Sequence, residues 1–259
     1  MKKPTCLLPC IILCFLFSCT KPSGVEITQH FPIEHDYYRL FISDGMEVTV
    51  TDEVDDIVIT ADENVMEKIK VVNQNGELRI TRTDFSIYRM MKAEVLIPYN
   101  YNLHDLNVDM YSSFTSAYGL EGEELKITIS FRSDVDVNYI LADQLKLNLD
   151  YYSDIEADLD VMDLLELIMS DSEADITGNT ASLNLDMKSG SEIIEHWSGD
   201  GYAFACDYCY GTMHDNCTAY LHCYDEIAVE LTENSFLHCT GEPYIDESSW
   251  DDTSCILFE

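Results

Sequence analysis

Leu145-Lys-Leu-Asn-Leu149, Leu165-Glu-Leu-Ile-Met169 and Leu183-Asn-Leu-Asp-Met187 are three copies of one pattern, starting 20 and then 18 residues apart. Apolar residues hold the first, third and fifth places of each copy, and a period of two is the signature of a strand. Leu125-Lys-Ile-Thr-Ile129 and Leu106-Asn-Val-Asp-Met110 carry the series back toward the N-terminus. Tyr202-Ala-Phe-Ala-Cys206, Tyr220-Leu-His-Cys-Tyr224 and Leu237-His-Cys-Thr240 extend it less cleanly toward the C-terminus. A second alternating run recurs about nine residues into the units: Val135/Val137, Ile155/Ala157/Leu159, Ala174/Ile176, Ile193 and Ile227/Val229/Leu231. Units of 17–20 residues leave no room for a helix of ordinary length between strands. A fixed period of this size marks stacked repeats.

The expected fold is therefore all-β: a right-handed parallel β-solenoid of about eight rungs of 17–20 residues over 106–259, after an N-terminal β region over 38–105. Neighbouring rungs pair at ~4.8 Å. No rung can bury its own apolar face, but a stack can, and each buried Leu or Ile contributes roughly 1.5–3 kcal/mol. Leu147, Leu167 and Leu185, the middle residues of their units, are expected to point inward and stack. A β-sandwich also uses strands every 8–12 residues, but it does not require neighbouring strands to look alike.

The N-terminal part reads as β as well. Tyr38 to Val50 and Ile57 to Thr60 alternate, with Asp44-Gly45 as a turn; Asn75-Gly76 is a strong hairpin signal, Glu63 to Glu67 can form one helical turn, and Pro98 stops the strand from Ala93. Arg39-Leu-Phe-Ile-Ser-Asp-Gly-Met-Glu-Val-Thr-Val50, Ile57-Val-Ile-Thr-Ala-Asp-Glu-Asn64, Ile69 to Asn73, Gly76-Glu-Leu-Arg-Ile-Thr81 and Ala93-Glu-Val-Leu-Ile-Pro98 follow one another in an order that resembles the putative adhesin "head GIN" domain of bacterial lipoproteins. The resemblance spans roughly 38–259. It implies a β-helix-like solenoid and no established activity. The chain departs from it in having few glycines at the rung turns and a cysteine-rich end.

The first residues have the form of an export signal. Lys2 and Lys3 precede an apolar run from Leu7 to Phe17, and Leu16-Phe17-Ser18-Cys19 closes it like a lipobox. The run is shorter than the ~20 residues of a bilayer span and suits a secretory segment. We expect 1–18 to be a signal peptide, Cys19 the lipidated residue, and 19–37 a tether ahead of a single domain over 38–259. The membrane would be met through this lipid alone, in the cell envelope as an outer-membrane lipoprotein.

Charge narrows the function. The whole chain carries 49 acidic against 14 basic residues, and without Lys2 and Lys3 its formal charge is -37. Nucleic acid binding depends on neutralising phosphates, so that class is excluded. From 106 onward 33 acids face only Lys126, Arg132, Lys146 and Lys188. Asp134/Asp136, Asp154/Glu156/Asp158/Asp160, Glu173/Asp175 and Glu192 recur on successive units as an acid ladder. A solvated surface is the expected reading; calcium is the rival.

Six cysteines follow the leader: Cys206, Cys209, Cys217, Cys223, Cys239 and Cys255. Three readings stay open. A disulfide, which export permits, comes first, then buried thiols, then a metal centre with His214, His222 and His238. The metal reading is weakest, because neighbours on a strand such as His222 and Cys223 point to opposite faces. No catalytic motif is present. Tyr111, Tyr151 and Tyr152 could stack on neutral sugars, although paired aromatics on strands more often serve packing. The expected function is a lipid-anchored binding or adhesion-like module for a carbohydrate or envelope protein, with no cofactor, no metal and no catalytic residue. A glycan-active enzyme using surface carboxylates is the alternative.

Overall fold

The computed structural model describes residues 23–83, 92–194, 197–198, 201–246 and 249–258. The expected signal peptide and Cys19 lie outside the described residues. Within them the chain is a parallel β-solenoid of about seven turns. Leu106, Ile127, Leu147, Leu167 and Leu185 follow one another in register from strand to strand. All five are buried. The expected inward stack of Leu147, Leu167 and Leu185 is the middle of this column.

The rung count corrects the expectation of about eight, and the reason lies in register. After Leu183 the interior column continues through Cys209 and Ile227 to Ile245. It does not pass through Tyr202, Tyr220 or Leu237. Phe204–Met213 pairs with Glu173–Lys188 only after a short antiparallel ribbon, Trp197–Ser198 with Gly201–Tyr202. This excursion shifts the phase of the repeat. Leu237 pairs with Ala219, and Ala219 with Ile193, on a different face of the rod.

The N-terminal part enters the same ladder. Arg39–Ile42 lies parallel to both Asp105–Val108 and Glu77–Arg82, and Met46–Thr51 lies parallel to Ala93–Pro98 and Ser113–Ser116. Asn75 and Gly76 both take positive φ, 54° and 73°, as a type I′ hairpin turn requires. The helical turn is Glu63–Met66, with the Asp62 carboxylate accepting from the Asn64 N–H. Glu26–Phe31, assigned from sequence to the tether, is a strand antiparallel to Ile57–Asp62.

One corner of the rod has a repeated chemistry that apolar periodicity does not reveal. Pairs of residues with positive φ occupy it: Met110/Tyr111, Phe131/Arg132, Tyr151/Tyr152, Asp215/Asn216 and Glu233/Asn234. A small buried residue follows each pair: Ser112, Ser133, Ser153, Cys217 and Ser235. Ser172, Ser191 and Ser254 hold the same place on their rungs. The carbonyls of Ser112, Ser133, Ser153, Ser172, Ser191, Cys217 and Ser235 each accept the N–H that follows this position on the next rung. The side chains close the turn. Ser191 Oγ donates to the Lys188 carbonyl at 2.7 Å, Ser235 Oγ to that of Thr232 at 2.8 Å, and Cys217 Sγ to that of His214 at 3.1 Å. Ser153 Oγ lies 2.8 and 3.0 Å from the carbonyls of Asp150 and Ile129 and accepts the Asp150 N–H at 2.9 Å. Buried hydroxyls thus satisfy the backbone groups of the turn, while the positive φ is carried by the two residues before them.

Two outcomes follow for stability. Ser153→Ala leaves backbone groups without their partner and should cost about 1–3 kcal/mol, whereas Cys217→Ser should be nearly neutral because serine fills the equivalent places. Leu167→Ala should cost about 2–5 kcal/mol as a core truncation. Urea unfolding of the three variants measures both; a neutral Ser153→Ala would contradict the role given to the serine column.

Candidate functional site

Aromatic side chains gather on the corner just described. Phe131 and Tyr151, on neighbouring rungs, stack with ring centroids 4.8 Å apart and planes 19° apart. The Arg132 guanidinium lies over the Tyr152 ring at 5.3 Å. Phe131, Tyr151 and Tyr152 are 43%, 51% and 58% exposed, so these rings face solvent rather than the core. Tyr111 is half-buried at the end of the column, its N–H bonded to the Phe131 carbonyl. A left-handed conformation costs an L-residue roughly 1–2 kcal/mol, and bulky residues with positive φ are uncommon. Strain of this kind concentrates at functional sites. The structure therefore joins Tyr111, Tyr151 and Tyr152, which the sequence singles out, with Phe131 and Arg132, which it does not. The missed signal is their shared place immediately before the repeated serine.

A column of carboxylates borders the aromatic corner. Asp134, Asp154, Glu173 and Glu192 are in register on four successive rungs, each directly after its serine. Asp136, Glu156 and Asp175 form a parallel row two residues on. A groove of about 310 Å³ runs along this second row, lined by Asp136, Asn138, Glu156, Asp158, Asp175 and Thr177. Thr177 Oγ1 donates to Asp158 at 3.0 Å. Among the described residues no three acidic, histidine or cysteine side chains converge on a point where a metal ion would sit. The aromatic faces are apolar with a negative π cloud, and the flank supplies hydrogen-bond acceptors. That combination suits a ligand with C–H-rich faces and hydroxyl edges.

A second groove, which the sequence does not foretell, crosses another face. Lys126 and Lys146 are register partners there, and Lys146 meets Glu166 at 2.6 Å. Gln144 and Leu164 complete a recess of about 290 Å³. With Glu124, which also lines the recess, Lys126, Lys146 and Glu166 balance in charge.

The cysteines correct the expectation of a disulfide: all six in the described residues are free thiols. Cys206 and Cys223 are register partners, and Cys209 continues the interior leucine column. Both Cys206 and Cys223 have their pKa raised, chiefly by hydrogen bonding to a neighbouring thiol, Cys209 and Cys206 respectively. Burial pushes Cys239 up to about 12. These groups stay protonated and unreactive at neutral pH, behaving as small apolar residues. His222 and His238 serve packing: His222 Nδ1 lies 2.9 Å from Thr240 Oγ1, and His238 stacks on Tyr220 at 4.5 Å.

Three flank carboxyls are displaced in one direction. Burial raises the pKa of Asp134, Asp154 and Glu192, and like charges on adjacent rungs add to it, Glu173 for Asp154 and for Glu192. Burial is the first cause in all three; crowding comes second for Asp154 and Glu192, whereas at Asp134 the Lys92 charge pulls the other way. A raised folded pKa means that the native state takes up protons more readily than the unfolded chain. Stability then increases as pH falls from neutrality through the folded values to the unfolded ones near ~4. Asp251 works the other way. The Glu233 N–H and the Thr253 and Ser254 side chains hold it well below the ordinary range, so its stabilising effect fades only below its unfolded pKa. A higher Tm at pH 5 than at pH 8 in low salt is expected, with the difference shrinking in high salt as surface charges are screened. The opposite trend would contradict the electrostatic picture, and stabilisation by calcium beyond sodium at equal ionic strength would make the flank an ion site.

The chain can now be set beside known proteins. A family model described as "Putative auto-transporter adhesin, head GIN domain" matches residues 36–195. A putative lipid binding protein from Parabacteroides distasonis superimposes with a TM-score of 0.76 at 15% identity, covering 92% of this chain and 98% of that one. A putative adhesin from the same organism gives 0.71 at 16%, covering 92% and 96%. Another, from Parabacteroides merdae, gives 0.72 at 15%, covering 92% and 97%. These likenesses establish the shared fold. A search of the curated proteins finds no match. With the family model covering more than half its length, the chain belongs to the putative auto-transporter adhesin, head GIN domain family.

Proposed function

We propose that this chain is a lipid-anchored binding module of the cell envelope, acylated at Cys19, whose aromatic corner takes carbohydrate. The observation that carries the reading is the Phe131–Tyr151–Tyr152 column, exposed on backbone that is strained to hold it there. Burial in the core does not account for these rings, which are about half exposed and pack chiefly on one another. The neighbouring column of Asp134, Asp154 and Glu173 offers acceptors for sugar hydroxyls. The adhesin names of the related structures fit a module that binds rather than reacts. The export signal and the -37 charge suit an exposed envelope surface.

Two experiments address the proposal. Cys19→Ala should move the protein from the membrane fraction to the soluble one, and retention in the membrane would remove the anchor from the account. For the corner, a glycan array probed with the wild-type protein and with Tyr151→Gly/Tyr152→Gly separates function from folding. Glycine tolerates positive φ without strain, so the double variant should melt no lower than wild type. Its glycan signal should fall by about tenfold or more, as loss of aromatic stacking contacts implies. Undiminished binding by a folded double variant would exclude the corner as the site, and release of cleaved sugars would favour a glycan-active enzyme.

A further inference from the structure

The last three rungs carry a different surface, separate from the aromatic corner. Between residues 189 and 259 there are 15 acidic residues and no Lys or Arg. The earlier rungs keep a cation of their own, as Lys146 does for Glu166. The C-terminal rungs have none to offer. Here the sheet presents tyrosines around a carboxylate. Tyr208 pairs in register with Glu226, and Glu226 with Tyr244 on the following rung. Register partners in a parallel ladder point the same way, so the three side chains form one row with rungs ~4.8 Å apart. Tyr210 stands two residues from Tyr208 on the same face, its ring nearly parallel to that of Tyr208 at 4° and 6.3 Å away. The residue in register with Tyr210 is Ala228, too small to fill the space beside the ring. Tyr208, Tyr210 and Tyr244 are all exposed, and Cys209, between the first two, is buried beneath them.

The ladder opens at this point. Two residues of the outer strand, Tyr224 and Asp225, stand opposite the single Asp207 between the pairs Cys206–Cys223 and Tyr208–Glu226. Such bulges re-aim side chains, and this one turns Tyr224 and Asp225 outward, both exposed. The result is aromatic rings beside two carboxylates, with no cationic side chain in this part of the sequence.

We infer that Tyr208, Tyr210 and Tyr244, set around Glu226, form a binding site for an organic ammonium group. A quaternary or alkylated ammonium is attracted to the faces of aromatic rings, and the central carboxylate adds a full charge of opposite sign. A neutral sugar could use the rings and hydrogen-bond the carboxylates, but only a cation also gains the Coulomb attraction of a surface whose charges are all of one sign. The phenols report the same field: the Asp225 charge raises the pKa of Tyr208, and burial followed by the Glu226 charge raises that of Tyr210. The ammonium could be a free small molecule or a lipid headgroup, and the chemistry of recognition is the same for both.

The test is calorimetric titration of the whole chain with choline and with its uncharged isostere, 3,3-dimethylbutan-1-ol, in low salt. Choline should bind with a Kd on the order of 1 mM, and the isostere about tenfold more weakly or worse. Glu226→Gln preserves shape and should weaken choline by about fivefold or more, as should Tyr244→Ala. Tyr151→Gly/Tyr152→Gly should leave choline binding unchanged, so that failure here and failure of the carbohydrate reading are distinguishable. Cosedimentation with phosphatidylcholine vesicles separates the sources: capture sensitive to Glu226→Gln identifies a headgroup, and binding of soluble choline alone identifies a free ligand. Equal affinity for the isostere, indifference to Glu226→Gln, or no choline binding up to about 50 mM would each overturn the assignment.

Discussion

In-register pairing of each rung with the next is the constraint on which the rest of this molecule depends. A single rung has an apolar face and a row of backbone donors and acceptors, and it can satisfy neither. Stacked, the rungs place Leu147, Leu167 and Leu185 in one interior column and pass their hydrogen bonds along the rod. Each polar choice then becomes a column too. Serine repeated at the corner becomes a buried hydroxyl ladder, and acid repeated after it becomes a charged flank. The flank works against the fold at neutral pH, as the raised Asp134, Asp154 and Glu192 indicate. The apolar interior and the backbone ladder offset that cost.

The corner converts this architecture into a surface. A turn made of two left-handed residues normally draws Asn, Asp or Gly, and later rungs comply with Asp215/Asn216 and Ser189/Gly190. The middle rungs place Phe131/Arg132 and Tyr151/Tyr152 there instead, where the backbone cost is greater. The rings gain a defined outward position. Their backbone is not a loose loop: the Tyr111, Arg132 and Tyr152 N–H groups each bond to a corner carbonyl of the next rung. A binding platform so built is preorganised, and little conformational freedom remains to be lost on binding.

Much of the fold is legible in the leucines. Leu125, Leu145, Leu165 and Leu183 pair in register as the repeat implies, whereas Leu106 lies two residues out, opposite Ile127. The phase is lost after Ile193 because the ribbon of Trp197–Ser198 and Gly201–Tyr202 adds residues to one rung. Alternating stretches such as Tyr202 to Cys206 then imitate the wrong face. The serine corner escapes for a different reason. Reading apolar periodicity discards polar residues, and a buried serine looks like any turn serine until its neighbours are seen to stack. Cysteine misleads in the opposite direction, since its chemistry draws attention that its place does not warrant. Cys217 stands in for a serine and Cys209 for a leucine. Of the candidate site, the tyrosines are visible in the sequence, whereas Phe131 and Arg132 become visible only through the corner they share.

The central claim is that the aromatic corner belongs to the rigid ladder. Native-state hydrogen exchange at the N–H groups of Tyr111, Arg132, Tyr152 and Asn216 tests it most directly. These four bond at 3.0, 2.9, 2.6 and 2.9 Å to carbonyls on the adjacent rung. The account predicts that they exchange as slowly as the amides of Leu147 and Leu167 in the flat strands, through the same cooperative opening. Exchange orders of magnitude faster, at rates typical of exposed loops, would contradict it.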